Sequence, residues 1–171
     1  SNSIPIDPSH KLMNVIASHI SIIPHLTHTR LPCLTGSTLA GQDFRGRNLR
    51  SADFRNAKLQ KANFNGADLT GADFTGADLT GASFIATLLK DANFTNAILR
   101  NAVVQSMSIA NANFSQANCR GTAFNVTDLR EIKVSATDFS NADLSSSQML
   151  PEQLFRCNIQ NTVMPDGRVH S

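Results

Sequence analysis

The stretch ANFNGADLTGADFTGADLTGASF, residues Ala62 to Phe84, repeats Ala-Asp-Leu/Phe-Thr-Gly at a period foreign to both helix and strand. A helix places apolar residues three or four apart, and a strand places them at every second position. Here the large apolar residues are Phe64, Leu69, Phe74, Leu79 and Phe84, five apart. On a turn of 3.6 residues that spacing rotates the apolar position by about 140° per step. No helical face stays apolar, so a helix is excluded.

The register extends outward from this stretch. It runs back through Leu59, Phe54, Leu49 and Phe44 to Leu39, and forward through Leu89, Phe94, Leu99, Val104, Ile109, Phe114, Cys119 and Phe124. Leu129, Val134, Phe139, Leu144, Met149 and Leu154 complete 24 centres without insertion or deletion. Two residues before most centres stands a small side chain, such as Ala52, Ala57, Ala62, Ala72, Ala92, Ala112 or Ala142. The remaining positions carry Asp, Asn, Thr, Ser, Lys and Arg. A unit with one large and one small apolar residue cannot bury itself alone, so copies must stack.

This A-[DN]-[LF]-x-x pattern resembles the pentapeptide-repeat family. The resemblance implies an all-β, right-handed quadrilateral β-helix, with four pentapeptides per coil and the centres pointing inward. Phe and Leu alternate, so a coil of twenty residues sorts them by side. Phe44, Phe64, Phe84 and Phe124 fall on one side, and Phe54, Phe74, Phe94 and Phe114 on the opposite one. Leu49, Leu69 and Leu89, and Leu59, Leu79 and Leu99, take the sides between. Six coils at the inter-strand spacing make a rod of about 29 Å. Val134 and Phe139 exchange the expected sizes within one coil, and Cys119, beneath Phe139, reads as a packing residue.

Three segments follow: 1–31 with a capping helix, 32–154 as the β-helix, and 155–171 as a C-terminal cap. Residues 9–23 carry Leu12, Met13, Val15, Ile16 and Ile20 at helical spacing, ended by Pro24, and predict a lid on the first coil. Near the other end Pro151 predicts a short helix at its first turn, and MPDG, residues 164–167, a tight turn. The MPDG-x-x-H ending is similar to tails of cyanobacterial-lineage members. Members that bind gyrase dimerise through aromatic C-terminal helices, whereas this tail offers only Phe155, so a monomer or weak dimer is expected.

Composition narrows the function. The chain of 171 residues is the length of one domain, 41% hydrophobic, with no Trp or Tyr. Net charge is +2, and no run of about 18 apolar residues could span a membrane. Three cysteines give no disulfide framework. A soluble protein is expected, with the cytoplasm favoured, and a start at Ser1 leaves room for a removed leader.

No catalytic constellation emerges. The serines lack a G-x-S-x-G elbow, and no phosphate-cradling glycine loop is present. Asp53, Asp68, Asp73, Asp78 and Asp143 recur because the repeat puts a polar residue before each centre. His25, His28 and Cys33 have zinc-compatible chemistry but match no established finger spacing. Neither enzyme activity, a cofactor nor a metal is expected.

Function is therefore expected on the outer walls, as a protein-interaction scaffold whose partner the sequence leaves unidentified. The nearly uncharged side with Asn65, Ile85, Val103, Gln105 and Asn125 is the candidate contact surface, with Ile85, Val103 and Val126 facing solvent. The alternative is the basic side with Lys58, Lys61, Arg100 and Arg120. Four charges without stacking aromatics are a weak footprint for nucleic acid. The resemblance also implies a second role, modulation of a type II topoisomerase (gyrase) by imitating DNA. Duplex DNA carries one negative charge per about 1.7 Å, whereas Ser37 to Leu150 holds 11 basic and 10 acidic residues.

Overall fold

A computed structural model describes residues 33–171. The expected capping helix at 9–23 and the His25/His28 pair lie outside the described residues. From Cys33 onward the backbone winds as a four-sided β-helix. Asp43 pairs in parallel with Asn63, then the ladder climbs through Ser83, Val103, Ala123 and Asp143 to Val163, a step of twenty residues each time. Equivalent ladders start at Asn48, Cys33 and Thr38. We number the walls by their inward centres: side 1 (Phe44, Phe64, Phe84, Val104, Phe124), side 2 (Leu49, Leu69, Leu89, Ile109, Leu129), side 3 (Phe54, Phe74, Phe94, Phe114 and the half-buried Val134) and side 4 (Leu59, Leu79, Leu99, Cys119, Phe139).

Each wall is a rung of single bridges because the chain turns a corner every five residues. Two bonds hold a rung from above and below: Phe64 N–H donates to Ser83 O at 2.8 Å, and Ser83 N–H to Ala62 O at 3.0 Å. The corner closes locally, as where Ala67 N–H donates to Phe64 O at 2.9 Å. The residue two after the centre must then take a left-handed backbone. Gly66, Gly71, Gly76 and Gly81 do so at φ near +70° without a Cβ penalty. Asn56, Asn96, Asn101 and Asn141 do so at φ 56–58°.

The core confirms the sorting by side. Phe54, Phe74, Phe94 and Phe114 stack on side 3 at centroid spacings of 4.9, 5.0 and 4.6 Å. Phe44, Phe64 and Phe84 stack on side 1 at 4.9 and 5.0 Å. Facing ladders meet edge to face, Phe64 against Phe74 at 5.6 Å. The side 1 ladder departs from expectation at one level. Val104 lies between Phe84 and Phe124, so Phe124 makes edge contacts with Phe114 and Phe139 instead.

The small-residue slot is also occupied by threonine, which keeps its hydroxyl satisfied. Thr122, Thr137 and Thr162 are buried, and each donates to the carbonyl of the centre one coil below, Leu99, Phe114 and Phe139, at 2.6–2.8 Å. A buried hydroxyl with its partner costs little.

At the N-terminal end Leu34 is a further buried centre, preceding Leu39. At the other end the short helix is a 3₁₀ turn, Pro151–Leu154. The ladder continues past Leu154: Asp138 pairs with Asn158 and Asp143 with Val163, and the next two positions of the five-residue register, Ile159 and Met164, pack partly buried against the core. Strands β1 (Thr162–Val163) and β2 (Val169–His170) form an antiparallel hairpin. Its turn at Pro165–Gly167 uses Gly167 at φ 82°, as MPDG predicts.

Candidate functional site

The recurrent carboxylates have a structural occupation. The oxygen of the Asp or Asn before each centre accepts the backbone N–H of the residue after it. Asp53 Oδ1 takes Arg55 N–H at 3.1 Å, Asp73 Oδ1 takes Thr75 N–H at 2.9 Å, and Asn113 Oδ1 takes Ser115 N–H at 2.9 Å. Asp and Asn serve equally because only an acceptor is needed. Where an arginine follows, it also clasps the carboxylate, as Arg45 does Asp43, Arg55 does Asp53 and Arg130 does Asp128, each at 2.7 Å. Hydrogen bonding to Arg45 holds the Asp43 carboxyl at about 2, and Arg55 and Arg130 hold Asp53 and Asp128 below the usual carboxylate range.

The cysteines divide by burial. Cys119 is fully buried on side 4, where burial pushes its thiol far above the ordinary range. Cys33 is exposed and lies 3.0 Å from the Thr35 hydroxyl and 3.6 Å from Asp53. Among the described residues no group of three His, Cys, Asp or Glu is placed to hold a metal ion. No helix among them is long and apolar enough to cross a membrane.

On the basic side, Lys58 and Lys61 stand two coils below Arg100, and Arg120 follows one coil above it. Asp78 between them is engaged by Gln60 Nε2 at 2.6 Å and Thr80 Oγ1 at 2.7 Å.

Side 1 brings Asn65, Ile85, Gln105 and Asn125 into one vertical row. Asn65 Oδ1 accepts Ser83 Oγ–H at 2.6 Å and Ile85 N–H at 2.9 Å, and Gln105 Nε2 donates to Asn125 Oδ1 at 2.8 Å. Its polar groups are thus knitted to one another. Ile85 is exposed, but Val103 is only half-buried, because as a rung residue it lies between Ser83 and Ala123. Val103 therefore offers solvent less of its side chain than Ile85 does.

Sequence reasoning missed a residue beside this row. Met107 falls in the slot where the repeat puts a small side chain, and methionine does not fit there. The corner bulges: Ser106 does not take the left-handed backbone, and its hydroxyl donates to Thr87 O at 2.9 Å or to Ser108 O at 2.9 Å. Met107 N–H turns to Thr87 O at 2.9 Å, and the side chain is expelled, 74% exposed. The adjoining rung, Ser108 to Asp128, is absent from the side 2 ladder. One coil higher, Val126 occupies the same corner at φ 57° and is 68% exposed. The signal was present in sequence, as a Met where Ala recurs.

Comparison with known proteins follows from this geometry. A family model described as pentapeptide repeats matches eight copies, over residues 33–71, 48–84, 67–105 and 108–147. The chain belongs to the pentapeptide repeat family. Such proteins fold as right-handed β-helices and are generally non-enzymatic structural or interaction proteins. A pentapeptide repeat protein from the Arabidopsis thaliana thylakoid lumen is 38% identical over 57% of this chain and 72% of that one, at a TM-score of 0.34. HetL of Nostoc sp. strain PCC 7120, involved in heterocyst differentiation regulation, is 21% identical over 78% and 81%, at 0.34. A trypsin-treated variant of QnrB1, a plasmid-mediated fluoroquinolone resistance protein, is 21% identical over 75% and 72%, at 0.51, a likeness of fold. No curated protein matches the chain.

Proposed function

We propose that this pentapeptide repeat protein is a non-catalytic scaffold that binds a protein partner through the corner joining sides 1 and 2. The observation that carries the reading is Val126. A β-branched residue in the left-handed region is a strained choice at a corner that Gly or Asn fills readily. Strain kept at an exposed position motivates a functional reading, and here it displays an apolar side chain. Met107 and Ile85 extend that apolar strip over neighbouring coils, with Asn65, Val103, Gln105 and Asn125 on the adjoining wall. A rigid wall loses little conformational freedom on binding. The basic side, Lys58, Lys61, Arg100 and Arg120, also exposes an aliphatic, Ile98, but no β-branched residue in a left-handed corner.

The test is affinity isolation from the native source with the unaltered protein and with an Ile85→Asp, Met107→Asp variant, followed by quantitative mass spectrometry. Both side chains are exposed, so the variant should melt where the parent melts. A protein enriched by the parent and lost from the variant supports the corner. Retention by the variant together with loss from Lys58→Glu, Arg100→Glu would place the contact on the basic side instead.

A further inference from the structure

We propose that the C-terminal end of side 3 accepts an extended peptide from a partner protein as an added parallel rung, the segment carrying an acidic residue followed by a small one. The inference rests on a rung that the chain skips. On side 3 the centre N–H of each coil donates to the coil above: Leu34 to Asp53, Phe54 to Asp73, Phe74 to Asn93, Phe94 to Asn113 and Phe114 to Lys133, all at 2.7–2.8 Å. A second series runs beside it, Gly36 to Arg55, Asn56 to Thr75, Gly76 to Thr95, Asn96 to Ser115 and Gln116 to Ser135. Both series stop at Val134 and Ala136. Among the described residues nothing accepts from their N–H groups. The carbonyls that would do so belong to Gln153 and Phe155, but the 3₁₀ turn Pro151–Leu154 draws the backbone away.

The winding itself does not end there. Gln148 forms the preceding rung on side 2 and Asn158 the following rung on side 4. The missing rung is therefore a slot within the last coil, and a cleft of about 480 Å³ opens over it. Its lining includes Ile132, Val134 and Phe155, with two basic side chains, Lys133 and Arg156, against one carboxylate, Glu152. Phe155 is 87% exposed. Gln153 covers only the start of the edge, its amide donating to Leu129 O at 2.9 Å and Ile132 O at 3.1 Å.

The geometry of the lower rungs specifies the occupant. Two carbonyls, two residues apart on an extended segment, would accept from Val134 and Ala136. The residue between them points inward, where Leu154 is already buried, so it must be small. The residue before it points outward above Lys133, which is exposed, with Arg156 also on the cleft. An acidic side chain there makes an opposite-charge pair across the rung. Main-chain bonds of this kind supply affinity and the flanking pockets supply selectivity.

The experiment uses the full chain and the synthetic peptide acetyl-Ser-Asp-Ala-Thr-Ser-amide, followed by amide hydrogen exchange in NMR. In the free protein the Val134 and Ala136 amides should exchange far faster than those of Phe114 and Gln116. At millimolar peptide they should slow by about tenfold or more. Changing the peptide's Asp to Lys should abolish that protection, and Lys133→Glu should restore it for the Lys peptide only. Three outcomes overturn the proposal: Val134 and Ala136 already protected in dilute free protein, no slowing at saturating peptide, or protection that tracks protein concentration instead of peptide. The Ile85→Asp, Met107→Asp variant should bind the peptide unchanged, which separates this site from the corner.

Discussion

Phe74 shows how much one position of the repeat contributes. Its ring is fully buried, stacked on Phe54 and Phe94 and edge-on to Phe64 and Phe84. Replacement by Ala opens a cavity between two ladders that cannot close independently, and should cost about 3–5 kcal/mol in chemical denaturation. A loss below about 1 kcal/mol would mean that the ladders relax around the gap. Cys119 and Cys33 make the complementary case. The thiolate is the reactive form, and burial disfavours it at Cys119. A disulfide-exchange reagent at pH 8 should label Cys33 within minutes and Cys119 only at the rate of unfolding. Equal rates at the two sites would contradict the packing role assigned to Cys119.

The corner and the rung are the units in which the rest of the fold is written. Asp43, Asp53 and Asp128 each brace a rung and are clasped by an arginine two residues on. Their folded values lie below the unfolded value of about 3.9. The stability they add is thus present above that pH and disappears as pH falls through the folded values, about 2 for Asp43. Melting temperature should hold from pH 7 to 5 and fall below pH 4. An Arg45→Gln, Arg55→Gln, Arg130→Gln variant should lose part of that acid-dependent fall, and an unaltered profile would show that the clasps contribute nothing. The pairs are exposed, so the effect per pair is small. The stacking of copies was legible in sequence because one large centre every five residues cannot be buried within its own unit, whereas the four sides per coil, and with them the ladders, came from the resemblance to the pentapeptide-repeat family. The bulge at Met107 was written there too, but as a misfit that only the packing converts into an exposed side chain. The skipped rung at side 3 was not legible. Pro151 predicts a helical start, but whether that turn covers or uncovers the edge below depends on where three-dimensional stacking places Val134.

The charge layout of the whole rod bears on what it can imitate. A coil rises by about 4.8 Å, and duplex DNA presents one negative charge per about 1.7 Å. A mimic therefore needs about three uncompensated carboxylates per coil on the surface offered to the enzyme. Here Asp43, Asp53, Asp68 and Asp128 are each paired with an arginine at 2.7–3.1 Å. The first two described coils, residues 33–72, carry Arg45, Arg47, Arg50, Arg55, Lys58 and Lys61 against Asp43, Asp53 and Asp68, a basic end where a mimic would be acidic. Exposed apolar residues at the bulged corner form a surface unlike a phosphate backbone. The protein should consequently leave supercoiling by DNA gyrase unchanged at micromolar concentration. If supercoiling is inhibited, the effect should persist in Ile85→Asp, Met107→Asp for recognition by charge and vanish for recognition by the apolar corner. Inhibition that persists would mean a topoisomerase reads this rod without the acidic density of DNA, and the charge argument would fail.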